Sequence, residues 1–461
     1  MLQKNPLSLH ELREKISARD SKALRVFCKQ EHPAAVADAV AALSADEFWA
    51  VLRHAEPPQR AEIFSHLDED LQVEAVRTLP RDELARLLAD MSADDRADLF
   101  KRLPENMREA VLPALAHAER EDIRRLAAYR EGTAGAVMTS DYAALPPHMT
   151  ASEAIEHLRE IAPDKETIYY AYVVDERRKL LGFVSLRELI VAPRHALVGD
   201  IMHREVVFAR VDDDQEDAAR KIQKYDLIAL PVINGDDALV GIITHDDAMD
   251  IITQEHTEDM EKLMAIAGSH EVGVYLKTPS WVHFRNRAYW IIGLAALGLV
   301  SGIIIHSFET ALAQMLILAL YMPMVADTGG NVGSQSATVV VRALALREIS
   351  PKDALRVFLK EFQIAFLLAL ALGVLSWGKV MFLSQGSDIP SGYNLVQIGA
   401  VIALALSLQV VTAAVIGAML PLAAAKMQWD PAVVASPALT TVVDITGLLI
   451  YFGTAKLLLG L

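Results

Sequence analysis

The chain has 461 residues, 52% of them apolar and 23% charged, and a net charge of −16. That charge excludes a surface built to follow nucleic-acid phosphates and suits a protein that binds cations. A single cysteine, Cys28, excludes internal disulfides and cysteine-rich metal sites. The residues are of two kinds, charge-rich up to about 280 and dominated by long apolar runs from about 288 to 461. The opening M-L-Q-K-N-P-L-S-L-H lacks the apolar core of a signal peptide, so the long N-terminal part is expected to stay in the cytoplasm.

Residues 1–130 read as an all-helical, repetitive array. Short helical patterns recur, each opened by Ser, Pro or an acidic residue. Ser44-Ala-Asp-Glu47 has the spacing of a capping box, and Ser92-Ala-Asp-Asp95 is a variant of it. Leu84, Leu87, Leu88 and Met91 follow helical periodicity. Short helices of this kind stack into a solenoid-like superhelix. Glu62, Asp94, Asp95 and Asp98 stand out, since Asp94 and Asp98 share a helix face; the plainer account is a solvated helix N-terminus.

From 131 to 256 two units of similar texture follow each other, divided at 199/200. Each has a Met-Thr or Met-His turn, a strand, a helix (about 151–161 in the first unit, 213–225 in the second), a strand, a hairpin, a strand of pattern L-x-G-[FI]-[VI]-[ST], and a second helix. The strand-like runs are Ile168–Val174 and Leu181–Leu189 in the first unit, and Val206–Ala209, Ala229–Ile233 and Leu239–Asp247 in the second. This duplication resembles a tandem pair of CBS domains. That resemblance implies a ligand-responsive, dimerising module, for which adenine nucleotides such as ATP are frequent ligands. An Asp at [ST]-x-x-D spacing would hold the ribose. Thr244-His-Asp-Asp247 fits that spacing, whereas Ser185-Leu-Arg-Glu188 carries Glu. Tyr170, Phe183, Arg187 and Glu188 are the candidates to stack on a base or meet phosphate and sugar; otherwise they pack the sheet and cap helices.

Residues 246–275 read as a long acidic connecting helix bearing Asp246, Asp247, Asp250, Glu255, Glu258, Asp259 and Glu261. Like charges three and four residues apart destabilise a lone helix, and divalent cations would relieve them. Five apolar segments follow, at about 288–305, 311–344, 357–383, 396–425 and 433–459, each long enough for a bilayer of roughly 30 Å. Arg285 and Arg287 precede the first, five basic residues between Arg342 and Lys360 separate the second from the third, and Lys426 lies before the fifth. The loops after the first and third segments, Ser307-Phe-Glu and Ser384–Asn394, hold no Lys or Arg, so the N-terminus is expected inside and the C-terminus outside.

Within the last segment Asp444 sits far from either end. A carboxylate at bilayer depth costs roughly 2.5–3.5 kcal/mol on insertion scales, so it belongs on a bundle interior or a watery path. On a helix, Thr440, Thr441 and Thr446 would ring it with hydroxyl oxygens, and Ser436 and Pro437 come about two turns earlier. Pro437 would free carbonyls, and such an all-oxygen set suits a hard cation. Segment two carries Asp327-Thr-Gly-Gly-Asn-Val-Gly-Ser-Gln-Ser336. Its glycines permit close helix approach, and Asn331 is a pore-lining candidate. The Asp-Thr-Gly triplet lacks the β-hairpin context of an aspartic protease, and the role of Asp327 stays open.

G-G-N-V-G-S-Q-S together with S-P-A-L-T-T-V-V-D resembles the MgtE family of magnesium transporters, and so does the order of helical domain, CBS pair, acidic helix and five membrane segments. The resemblance implies a multi-domain α-rich membrane protein in the cytoplasmic membrane, a homodimer with its pore between subunits, in which Asp444 selects the ion. It implies Mg²⁺ as both cargo and regulator, with sensor ligands at Glu62, Asp94 and Asp98, at Asp214, Glu216, Asp226, Asp247 and Asp250, at Glu255, Glu258 and Asp259 of the plug helix, and at Asp430. The expected function is a magnesium-selective, magnesium-gated uptake channel. The alternatives are an ion-coupled secondary transporter and a non-conducting nucleotide sensor. No nucleophile–base set points to an enzyme.

Overall fold

The computed structural model describes residues 9–266, 275, 278–387, 389–434 and 437–461. The chain divides into two units, Met1–Thr253 and Gln254–Leu461.

The first unit opens with ten short α-helices between Leu9 and Leu126. Helices two places apart pack on each other: 33–40 on 57–65, on 81–90, on 105–111, and 45–52 on 69–76, on 93–102. Two staggered rows result, which is the expected superhelix. Trp49 pins the rows, stacking on Phe64 at 5.9 Å and donating its Nε1–H to the Ala75 carbonyl at 2.9 Å. Ser44 and Glu47 form the full capping box. Ser92 does not cap through its side chain; its hydroxyl stands instead within reach of the carboxylates of Asp94 and Asp95.

The duplicated part holds two three-stranded sheets of the same order: β1 (Tyr142–Leu145), β2 (Thr167–Val174) and β3 (Leu180–Ser185), then β4 (Ala209–Arg210), β5 (Ala229–Ile233) and β6 (Leu239–Thr244). In each, the first pair is parallel and the second antiparallel. The expected strand at 206–209 shrinks to the two residues of β4. The helices Ala151–Ile161 and Gln215–Tyr225 make the crossovers. The two repeats interlock: Thr139 pairs with Ile242 of β6, and His203 with Phe183 of β3. This explains the glycine of the repeated L-x-G pattern. A Cβ on Gly182 would lie 2.5 Å from the His203 carbonyl oxygen, and one on Gly241 would lie 2.7 Å from that of Thr139.

The acidic helix runs over His245–Leu263, shorter than expected. Beyond it, among the described residues, four helical stretches are long and apolar enough to cross a membrane: Ser280–Ser307, Pro351–Leu383, Leu395–Lys426 and Pro437–Leu459. The first is broken at Gly298. The segment expected at 311–344 becomes a short helix, Glu309–Gln314, and a long one, Ile317–Ala345, whose middle is the polar glycine-rich run. Leu395–Lys426 packs against three long helices and forms the centre of the bundle. Its Ile402, Ala405 and Val410 are buried, and so are Leu318, Tyr451 and Phe452 of its neighbours. Glu361, also buried, accepts the Ser336 hydroxyl at 2.8 Å. Pro437 is the first residue of its helix, where a missing N–H leaves no carbonyl unserved; the expected freed carbonyls therefore do not arise there. Ser436 lies outside the described residues.

Candidate functional site

Asp444 is half-buried, two turns into the Pro437–Leu459 helix. Across from it stands Gly330. A Cβ there would lie 3.3 Å from the Thr440 methyl and 3.9 Å from Asp444 Oδ1. The glycine thus lets the two polar helix faces meet. Asp327, Gly330 and Asn331 share one face of their helix by i, i+3, i+4 spacing. Asn331 donates its Nδ2–H to Asp327 Oδ2 at 3.3 Å, and the Asp327 carboxylate is close enough to Asp444 to repel it. Two carboxylates and a carboxamide therefore gather around one glycine. Asp327 and Asn331 are exposed on this single chain, an unusual surface for a bundle of apolar helices.

Two of the three expected hydroxyls give their hydrogens to their own helix backbone. Thr441 donates to the Pro437 carbonyl at 3.1 Å and Thr446 to that of Val443 at 3.0 Å. A helical threonine readily bonds the carbonyl one turn back, and in an apolar bundle that bond has little competition.

In the first unit a second group of carboxylates collects where the 93–102 helix meets the CBS pair. Asp94 is pushed well above the usual carboxylate range by burial, then by Asp95, Asp247 and Glu166, and its Oδ1 is buried with no partner. Burial, with Asp246 and Asp95 adding to it, raises Asp247 to about 6 although Thr244 donates to it. Glu166 is raised to about 7 by burial and by Asp247, Asp246, Asp95 and Asp141. Asp250 is raised by burial and Asp246. Of the expected sensor residues, Asp94, Asp247 and Asp250 belong to this crowd. Asp98 lies at its edge, paired with Lys101 at 3.0 Å. Glu62 is exposed on the next helix row.

Asp214, Glu216 and Asp226 sit elsewhere, around the Gln215–Tyr225 helix. Asp214 caps it through the Glu216 N–H at 2.8 Å, Glu216 pairs with Arg220, and Asp226 ends it in the left-handed conformation with φ 51°. In the second unit Lys262 joins Glu258 at 2.7 Å to Asp430 at 3.2 Å. Burial and the nearby Asp430 raise Asp259. Burial works against the charge on Lys262, but its bonds to Glu258 and Asp430 outweigh that and hold its pKa above the ordinary value. Among the described residues no three His, Cys, Asp or Glu side chains form a ready metal cage.

The four nucleotide candidates all line one cavity of about 630 Å³, with Ser185 and His203. Phe183 meets the edge of Tyr170 at 5.4 Å and stacks on His203 at 5.1 Å. Glu188 closes a capping box with Ser185 and also bonds His203. The helix-capping role is thus realised within the cavity wall.

A family profile described as a divalent cation transporter matches residues 322–454, which include both the glycine-rich run and Asp444. An intracellular N-domain profile of the same family matches 31–132, and CBS profiles match 134–195 and 198–254. The magnesium transporter MgtE of Thermus thermophilus is 38% identical over 97% of this chain and 98% of its own length. The chain belongs to the MgtE family of transporters. Among other MgtE proteins, that of Bacillus subtilis is 36% identical over 75% of this chain and 73% of its own. A crystal structure of the soluble part of a magnesium transporter covers 54% of this chain and 97% of its own, with a TM-score of 0.51 and 32% identity. The cytosolic domain of the Mg²⁺ channel MgtE in complex with ATP covers 53% and 99%, with a TM-score of 0.50 and 38% identity.

For this MgtE chain, the sequence left the role of Asp327 open, named Asp246 only as one charge of the acidic helix, and gave no sign of Glu166. Asp327 carried a signal, being three residues before Gly330 on one helix face. Glu166 carried none, because the first crossover of the CBS pair brings it in from a distant stretch.

Proposed function

We propose that this MgtE chain is a magnesium-selective channel for uptake across the cytoplasmic membrane, shut by cytosolic magnesium, with Asp444 at the ion site. The observation that carries the reading is the meeting of Asp444, Asp327 and Asn331 around Gly330 among long apolar helices. Mg²⁺ sheds water reluctantly, so such a site holds it through its hydration shell, and two carboxylates match a dication better than a monovalent. The exposed polar face that bears them is the surface on which a second copy completes a pore in a homodimer. The chain crosses the membrane five times, with the Ile317–Ala345 helix as the polar member, its N-terminus inside and its C-terminus outside.

The gate reading rests on the crowded acids. Asp94 Oδ1 has no partner, and its neighbours repel it, so a dication bound there offsets the repulsion. Binding to the closed state alone shifts the population of the gate.

Mg²⁺ flux into proteoliposomes tests both parts. Flux is expected to need Asp444 and to fall as cytosolic magnesium rises. Flux indifferent to cytosolic magnesium would sink the gate. Flux that needs a second ion gradient would mark a coupled transporter, and no flux under any gradient would leave a sensor.

The CBS cavity is the proposed ATP site, as the solved ATP complex of a relative's cytosolic domain supports. Phe183→Ala is expected to weaken ATP binding about 3- to 10-fold by removing one aromatic stack, read by calorimetry on the full chain.

A further inference from the structure

Gln409 is a fully buried amide between the two helices that carry the pore motifs. Its Nε2 donates to the carbonyl of Val443 at 2.9 Å, the residue just before Asp444. That bond settles which way the amide faces, since only the nitrogen has hydrogens to give. Its Oε1 is buried with no hydrogen-bond partner. Two glycines make the seat. A Cβ on Gly447 would lie 2.7 Å from Nε2, and one on Gly329 would collide with the same atom.

Packing alone does not account for this residue. Leucine or methionine would fill a similar volume without a buried polar head, and an amide acceptor left unpaired in an apolar bundle is costly. What the amide adds is direction. The Val443 carbonyl already accepts from Thr446 at 3.0 Å, so the bond from Gln409 is an extra grip on that one peptide.

We propose that Gln409 is a positioning residue for the ion site: its bond to Val443 fixes the rotation of the Pro437–Leu459 helix and so aims Asp444 at Asp327 and Asn331 across Gly330. The carboxylate stands roughly 5 Å from its helix axis, so a 20° turn moves it by roughly 2 Å. A shift of that size is enough to spoil a site that grips an ion through its waters. This role presupposes Asp444 as the ion site.

The test is Mg²⁺ flux in proteoliposomes, with competition by Ca²⁺, for wild type, Gln409→Leu, Gly447→Ala, the double variant Gln409→Ala/Gly447→Ala, and Asp444→Asn. Thermal melting reports folding of each. Gln409→Leu is expected to melt near wild type, to raise the half-saturating Mg²⁺ concentration about tenfold, the size of one buried hydrogen bond, and to lose most of its preference over Ca²⁺. If Gln409→Leu does not fold, the double variant is read instead, since its methyl on Gly447 fills the space the amide leaves. It is expected to fold better than Gly447→Ala alone yet show the same loss of selectivity. Wild-type half-saturation and selectivity in whichever variant folds would overturn the proposal, and so would failure of both to fold, which would make the amide a structural requirement. Wild-type flux that survives Asp444→Asn overturns the ion-site reading itself, whatever Gln409 does.

Discussion

At the scale of single residues, Asp327 changes what the pore motif means. It brings a second carboxylate within repulsive reach of Asp444, held by the Asn331 amide. Charge and hydrogen bond oppose one another here, because a donor that steadies Asp327 also steadies the repulsion. A dication resolves this by drawing both acids. Asp327→Asn is therefore expected to lower apparent Mg²⁺ affinity several-fold while leaving the maximal rate near wild type, and Asp444→Asn is expected to abolish flux. Concentration series of Mg²⁺ flux separate the two. Equal loss in both variants would mean that Asp327 is as indispensable as Asp444.

At the scale of elements, the connecting helix is fastened to the stretch that leads into the Pro437–Leu459 helix. Lys262 bridges Glu258 and Asp430, and the next residue, Leu263, packs beside Ala337, Val341 and Leu439. A tethered ammonium thus stands among acids that the family resemblance assigns to magnesium. Lys262→Gln removes that cation, and flux at low cytosolic magnesium is expected to rise, while closure at high magnesium persists because the dication takes over. Unchanged flux at low magnesium would show that the lysine bond does not hold the gate. How much of this was legible follows from range. Long apolar helices and the duplicated sheets declare themselves through local periodicity, and Asp444 stands out as one charge in an apolar run. The shrunken β4, the threonines turned to their own backbone and the arrival of Glu166 depend on packing between distant segments, which no window of sequence contains.

At the scale of the whole molecule, the proposed sensor makes proton and magnesium competitors for the first unit. Asp94, Asp247 and Glu166 all have folded-state pKa values raised by burial and by neighbouring carboxylates. A raised carboxyl releases its proton later in the folded than in the unfolded chain. Stability is therefore greatest below the unfolded values near 4 and falls as pH rises through the folded values of about 6 and about 7. Without magnesium, the melting temperature of the soluble unit's transition in the full chain is expected to fall between about pH 5 and pH 7.5. Added Mg²⁺ is expected to restore it, and to do so far more at the upper end. A magnesium effect equal at both ends would contradict the carboxylate cluster as its origin.

The buried contact between Ser336 and Glu361 also bears on how the protein is made. Glu361 lies two turns into a long apolar helix, and an acidic group there is unwelcome in lipid on its own. Its hydroxyl donor belongs to the helix that the ribosome completes just before. By the time Glu361 emerges, Ser336 already exists, so the two helices can leave the insertion machinery as a pair. The N-to-C order of synthesis thus supplies the partner ahead of the charge that needs it.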